Sequence, residues 1–350
     1  MMRVGIVGAG LIGRKRADAV AALPRIMKVV AVCDIDPERT DALARLHGAA
    51  AYRDWRDLIG SDSLDAVIVA TPNKFLKEIA LAALGGNKHV LCEKPLGRNA
   101  AEAEEICRAA ADRGRVLKTG FNHRFHPAIR EAWNIVAAGD LGKLYYVKAA
   151  YGHGGRPGYE KEWRASREIC GGGELLDQGV HVVDLCRWFL GEFDEVFGRV
   201  ETYFWDMEVE DNAFALFRTA GGQAAILHTS WTQWKNKFSF EIFGERGYLA
   251  VEGLGGSYGP EKLVIGKRRT RGASGTEYAG GAPEERVVEY DGPDVSWIAE
   301  LEEFAAAVRN DREPLGSGYD GLMANRLIGA IYESARRRAP VLLGGEENAG

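Results

Sequence analysis

The chain has 350 residues, 46% hydrophobic and 27% charged, an ordinary globular make-up that excludes a disordered, collagen-like or disulfide-scaffold protein. At about 150 residues per domain it should hold roughly two domains with buried cores. Its 45 basic and 50 acidic residues leave a net charge of −5, which gives no electrostatic case for nucleic acid or an anionic membrane as partner.

The N-terminus runs directly into the apolar segment Val4-Gly5-Ile6-Val7, without the charged region, apolar stretch and cleavage site of a secretion signal. No apolar run approaches the roughly 20 residues of a membrane span. The five cysteines, Cys33, Cys92, Cys107, Cys170 and Cys186, are odd in number and lack CxxC spacing. Reduced, buried thiols and a cytoplasmic location are expected. No Cys/His cluster has metal-ligand spacing.

Up to residue 121, short apolar runs alternate with helix-period segments, the rhythm of a parallel sheet. Strands are expected at 3–8, 28–34, 65–70, 88–92 and 115–121, and helices near 11–22, 37–47, 75–84 and 99–113. After a helix near 127–138 the rhythm changes to long successive strands at 143–151, 195–205, 211–219, 222–231, 237–244 and 247–252. One helix near 174–190 interrupts them, and two follow near 296–309 and 319–338. Successive strands with short turns imply antiparallel pairing. The expected fold is therefore α/β: an N-terminal Rossmann dinucleotide-binding domain over 1–124, then an α+β domain on an open, mainly antiparallel sheet over 125–343. The closing helix 319–338 is free to pack back on the first domain, 266–286 reads as an exposed loop, and 344–350 as a disordered tail.

Gly8-Ala9-Gly10-Leu11-Ile12-Gly13 fits GxGxxG, but with 44 glycines in 350 residues about 0.7 chance matches are expected. Gly316-Ser317-Gly318-Tyr319-Asp320-Gly321 matches too, yet follows a polar run and no strand. Context separates the two. The first match links a strand to a helix, and 21 residues beyond Gly13 the acid Asp34 ends the next strand. These are the parts of a dinucleotide site: a tight turn, a close backbone approach to pyrophosphate, a helix N-terminus, and a carboxylate for ribose hydroxyls. Gly8, Gly10, Leu11, Ile12, Gly13 and Asp34 are its candidate residues. Because a carboxylate repels a 2′-phosphate, NAD is favoured over NADP, with Arg14-Lys15-Arg16 the counter-evidence unless they form a solvated helix face.

The fourth expected strand ends in Cys92-Glu93-Lys94-Pro95. A charged pair at a strand's carboxyl end, beside the dinucleotide crevice, suits a proton-handling lysine; the segment alone leaves an exposed edge lysine equally open. Tyr151 to Arg164 concentrates rings, cations and glycines, which suits sugar stacking and hydrogen bonding or an ordinary connecting loop. His153, Trp163 and Arg164 there, with Arg124, are candidate substrate contacts; Trp205, Trp231 and Trp234 read as packing. Two arginines and a histidine also suit a carboxylate or nucleotide phosphate on the substrate.

Taken together, Gly8 to Gly13, Thr71-Pro72-Asn73, Glu93-Lys94-Pro95, Asn122-His123-Arg124-Phe125 and Gly171-Gly172-Gly173-Glu174-Leu175-Leu176-Asp177-Gln178-Gly179-Val180-His181 resemble the glucose–fructose oxidoreductase, inositol dehydrogenase and MocA (Gfo/Idh/MocA) family, from about residue 3 to 340. The resemblance implies NAD- or NADP-dependent oxidation or reduction at one hydroxyl carbon of a sugar, inositol or related polyol. It implies catalytic roles for Lys94, Asp177 and His181, and a cofactor lining that includes Thr71, Pro72, Asn73, Glu93, Lys94 and Asn122. It also implies a homodimer or homotetramer through the C-terminal sheet. His181 would take the hydroxyl proton, Asp177 would orient it or bind a neighbouring hydroxyl, and Lys94 would stabilise the developing alkoxide. Residues four apart lie about 40° apart on a helix, so Asp177 and His181 would share one face. Arg16 departs from the family, many members of which carry histidine there. Two other classes remain in play: a glycosidase that retains NAD and works by transient oxidation, and a non-catalytic NAD sensor.

Overall fold

Alternation of buried strands and capped helices builds the first half of the chain. A computed structural model describes residues 1–268 and 284–343. In order come β1 (Met2–Val7), α1 (Leu11–Ala21), β2 (Met27–Cys33), α2 (Pro37–His47), β3 (Ala50–Tyr52), α3 (Trp55–Ile59), β4 (Ala66–Val69), α4 (Asn73–Gly85), β5 (His89–Cys92), α5 (Ala100–Asp112) and β6 (Leu117–Thr119). Every residue of β4 is buried, as a parallel strand covered by helices on both faces requires. Helices α2, α3 and α5 start where the sequence offers side-chain caps. Asp36 accepts from the backbone N–H of Glu38 and Arg39 with Pro37 behind it, and Asn99 accepts from Glu102. All strand pairs are parallel, in the order β3-β2-β1-β4-β5-β6. The strand order reverses direction between β1 and β4, which opens a crevice beyond their carboxyl ends. The expected strands and helices are all present; β3 and α3 are additions.

A 3-10 turn at Asn122–Phe125 and α6 (Pro127–Ala137) lead into the second half. There follow β7 (Leu144–Gly152), α7 (Arg167–Cys170), a π-helical turn (Leu175–Gly179), α8 (Val180–Leu190), β8 (Glu195–Glu201), β9 (Asn212–Arg218), β10 (Ala224–Ser230), β11 (Lys237–Gly244), β12 (Gly247–Glu252), β13 (Glu261–Lys267), β14 (Glu284–Tyr290), α9 (Ser296–Arg309), α10 (Gly318–Arg337) and β15 (Val341–Leu342). Nine strands form one sheet in the order β14-β13-β12-β11-β7-β10-β9-β8-β15. Only β7 and β10 run parallel; the other described pairs are antiparallel. Strict alternation decides its faces. In β9, Ala213, Ala215 and Phe217 are buried while Phe214, Leu216 and Arg218 are exposed. The buried face lies under α8 and α10, with Val183, Leu185, Ile328 and Ile331 in its core.

The sequence-level loop at 266–286 is corrected at both ends, since Gly266 and Lys267 belong to β13 and Glu284 to Arg286 to β14; the rest of it, and the tail 344–350, lie outside the described residues. The closing helix α10 packs back on the first half, its Asn325 donating to the backbone carbonyls of Leu96, Gly97 and Asn99. Helix α9 does so too: its Leu301, Phe304 and Ala307 sit in one core with Val4, Ile6 and Val20. The second glycine triplet opens α10, where Ser317 and Asp320 form a capping box. Among the described residues no helix is long and apolar enough to cross a membrane, and no group of three or more His, Cys, Asp or Glu residues could hold a metal ion.

Candidate active site

The crevice between β1 and β4 is shaped by three glycines with three different jobs. Gly8 has φ +103°, and a Cβ there would meet the Ala70 carbonyl at 2.4 Å. At Gly13 a Cβ would lie 1.7 Å from the Gly8 carbonyl, so the helix can pack against the turn only without one. Gly10 is the opposite case: a Cβ would meet nothing within 4 Å. It faces open space beside the start of α1, which has no side-chain cap, so the first amide groups, Leu11, Ile12 and Gly13, are free for an anion. Asp34 accepts from the backbone N–H of Ala9 at 2.6 Å and of Asp36 at 2.9 Å. Each oxygen has a further lone pair for a ribose hydroxyl. Across the crevice the buried Thr71 hydroxyl has no partner. Open space at Gly10, uncapped amides, a placed carboxylate and an orphaned hydroxyl fit a dinucleotide.

Beyond the end of β5, Lys94 reaches the second domain. Its Nζ donates to the Asp177 backbone carbonyl at 2.5 Å and to Asp177 Oδ1 at 3.0 Å, and the Lys94–Pro95 peptide is cis. Arg164 Nε donates to the other oxygen of Asp177 at 3.0 Å, and its guanidinium lies 4.4 Å over the Trp163 ring. Burial alone would raise the Asp177 carboxyl, but Lys94 and Arg164 outweigh it and hold it well below the usual carboxylate range. His153 accepts from the Gly155 amide at 2.9 Å. Burial depresses its pKa against the pull of Asp177. The chain here comes from the end of β7, so β5, β7 and the π turn meet at one place.

His181 stands one turn further on. Asp177 lies in the π turn rather than on the expected continuous α-helix, a wider turn common at functional positions. The imidazole is 5% exposed, and burial, with Lys94, His126 and Arg16 nearby, holds its pKa well below the ordinary histidine value. Its Nδ1 is buried without a partner. His123, not singled out from the sequence, stacks on it. Glu174 was also missed: it is fully buried, neither carboxyl oxygen has a partner, and burial pushes its pKa well up. Position within the glycine-rich segment was the available signal for Glu174, and adjacency to Asn122 for His123.

Several expected contacts go elsewhere. Arg124 is 2% exposed and forms a two-pronged pair with Asp184 at 2.7 and 2.6 Å, with Asp320 at 3.1 Å. With both faces committed it is a corrected substrate contact. Asn73 donates its side-chain amide to the Cys170 carbonyl at 2.8 Å and Asn122 donates to Ser296 Oγ at 3.0 Å, so both side-chain amide groups already serve contacts within the protein. Glu93 pairs with Arg16 at 2.6 Å, and Arg16 pairs with Glu300 at 2.5 Å. Arg16 is fully buried, so it is neither a solvated cation nor a phosphate ligand. Pro72 caps the start of α4 beside Thr71. Trp231 is buried, while Trp234 is 66% exposed.

Comparison with known proteins bears on both halves. Residues 2–121 match the model of an oxidoreductase family with an NAD-binding Rossmann fold, and residues 129–250 match that of the GFO/IDH/MocA C-terminal domain. The 1,5-anhydro-D-fructose reductase of Ensifer adhaerens is 30% identical over 343 residues, 96% of each chain. The levoglucosan dehydrogenase of Pseudarthrobacter phenanthrenivorans is 32% identical over 235 residues, which span 63% of this chain and 60% of that protein. A solved levoglucosan dehydrogenase in complex with NADH and levoglucosan superposes with a TM-score of 0.87 at 25% identity, covering 98% of this chain and 99% of that one.

Proposed function

Because this chain belongs to the GFO/IDH/MocA family of NAD-binding oxidoreductases, we propose that it is an NAD-dependent dehydrogenase acting on a ring hydroxyl of a sugar, sugar derivative or inositol. The observation that carries the reading is the junction of Lys94, Asp177, Arg164 and His181 at the carboxyl end of β5, next to the Gly8–Gly13 crevice. When bound, NAD supplies the hydride acceptor. The chain's own work is to bind the alcohol, orient it and move its proton.

Lys94 donates a hydrogen bond to the reacting oxygen and favours its negative charge as the proton leaves. Asp177, ionised throughout the working range, holds the ammonium in place through Oδ1 while Arg164 fixes the other oxygen. It acts through Lys94 and is a positioning residue. His181 is neutral at neutral pH because burial disfavours its charged form, so it can accept the proton at Nε2, the nitrogen left over from the buried Nδ1. Arg164, stacked on Trp163, and His153 offer donors and a flat face to the remaining ring hydroxyls. The outer face of the nine-stranded sheet, with exposed Phe197, Phe214, Leu216 and Ile226 around a concavity of about 410 Å³, is the surface for a homodimer or homotetramer.

The test is NADH absorbance with inositols, aldoses, uronic acids and glycosides, NADP in parallel, on the parent and on Lys94→Ala. A rise with one polyol class is expected, abolished by Lys94→Ala while NAD binding is retained. Undiminished turnover in that variant refutes the assignment, and glycoside cleavage without net NADH refutes the dehydrogenase reading.

A further inference from the structure

His123 enters from the 3-10 turn after β6 and lies flat against His181 of α8, ring centroids 3.8 Å apart and planes 20° apart. The pair is walled in. Tyr151 of β7 stands edge-on to His123 at 5.2 Å, Phe121 stands edge-on to His181 at 6.1 Å, and the two histidines are only 6% and 5% exposed. A working imidazole is commonly fixed by a hydrogen bond from its second nitrogen to a carboxylate or carbonyl. Here that device is missing, since Nδ1 of His181 is buried without a partner. His123 in turn makes little use of its nitrogens: Nε2 has no partner, and Nδ1 meets only Asn122 Oδ1 at 3.2 Å. What His123 offers is its face.

We propose that His123 is a positioning residue for the dehydrogenation, its stacked ring setting the plane of His181 and keeping water off one side of that base. The inference rests on His181 being the base. Other groups around His181 are Lys94 from the end of β5, Asp177 one turn earlier, His126 beside His123, Tyr151 of β7 and the more distant Arg16 of α1; His126 is itself paired with Glu261 at 2.9 Å. None of these lies flat on the imidazole. Removing the stacked ring admits water, relieves burial, and moves the His181 titration up toward about 6.5. A phenyl ring in its place keeps the face and drops nitrogens that bond little.

The experiment compares the parent, His123→Phe, His123→Ala and His181→Ala on a polyol that the parent oxidises, with kcat followed over about pH 5 to 8. Histidine-labelled NMR of the NAD-loaded protein reads the His181 titration without turnover. His123→Phe should stay within about threefold of the parent, whereas His123→Ala should lose about tenfold or more in kcat with KM for NAD unchanged. Its acid limb and NMR titration should both move to higher pH. Parental kcat and titration in His123→Ala, or equal impairment in His123→Phe, overturn the proposal. Parental turnover in His181→Ala would overturn the base assignment and this inference with it.

Discussion

Replacing Asp177 by asparagine separates positioning from packing. The carboxylate accepts from Lys94 Nζ and from Arg164 Nε, each at 3.0 Å. Asparagine keeps the shape, removes the charge and turns one acceptor into a donor aimed at a cation. Each charge-assisted bond contributes about 1.5–3 kcal/mol. Two effects reduce the sum. Lys94 keeps its 2.5 Å bond to the Asp177 carbonyl, and the Lys94 and Arg164 side chains are 18% and 27% exposed, so water screens part of the released charge. About 2–3 kcal/mol remains, roughly 30- to 150-fold in kcat/KM for the polyol. KM for NAD should change less than about twofold, because the glycine turn and Asp34 lie on other strands. Initial rates of NADH formation, with a thermal melt of the same sample, provide the assay. A loss under threefold, or one confined to the KM for NAD, would refute the reasoning that Asp177 works by holding Lys94.

Asp34→Ser should raise the NADP-to-NAD ratio of kcat/KM by about tenfold or more, the equivalent of about 1.4 kcal/mol; an unchanged ratio would move recognition to the exposed Arg14 and Lys15. Burial depresses the pKa of five histidines, His89, His123, His153, His181 and His228. Below about pH 6.5 the unfolded chain binds protons that the fold refuses, so stability falls as pH falls, by up to about 1.4 kcal/mol per pH unit for each such group. The melting temperature should drop between pH 7 and 5, less steeply in His123→Phe; a flat profile would show that these rings charge freely in the fold. The Asp177 contribution is lost only at lower pH, below about 4, where an unfolded carboxyl protonates. The proposed homodimer or homotetramer should be seen in light scattering of the parent and lost in Leu216→Arg on the outer sheet face, where Leu216 is 48% exposed; a monomeric parent would refute the proposed assembly, and a mass unchanged by the substitution would refute this face as its contact.

The elements legible from sequence were those whose signals are local. Strand, glycine turn, helix and acid follow one another within 34 residues, and their burial pattern is continuous, so β1, α1 and β2 could be read along with Asp34. β3 and α3 are three and five residues long, too short to show a period. β13 and β14 flank a glycine- and arginine-rich stretch whose composition hides them. The misjudged side chains were cations with distant partners. Arg16 reads locally as a phosphate ligand or a solvated helix residue because Glu93 and Glu300 stand 77 and 284 positions away, and Arg124 reads as a substrate contact because Asp184 is 60 away. Stacking of His123 on His181 has no periodic signature, since two separate elements bring the rings together.

Helix α9 has a consequence for how the protein comes into being. Its residues Leu301 and Phe304 complete the core around Val4 and Ile6, and its Glu300 balances the buried cations Arg16 and Lys118. On the ribosome, all of these await a helix made only after eight of the nine strands of the second sheet, β7 to β14, have emerged. The half begun first is therefore among the last to be finished, and until then it carries an uncovered apolar flank and unneutralised charge. Premature termination between β14 and α9 would strike the nucleotide crevice, although every candidate site residue has by then been translated.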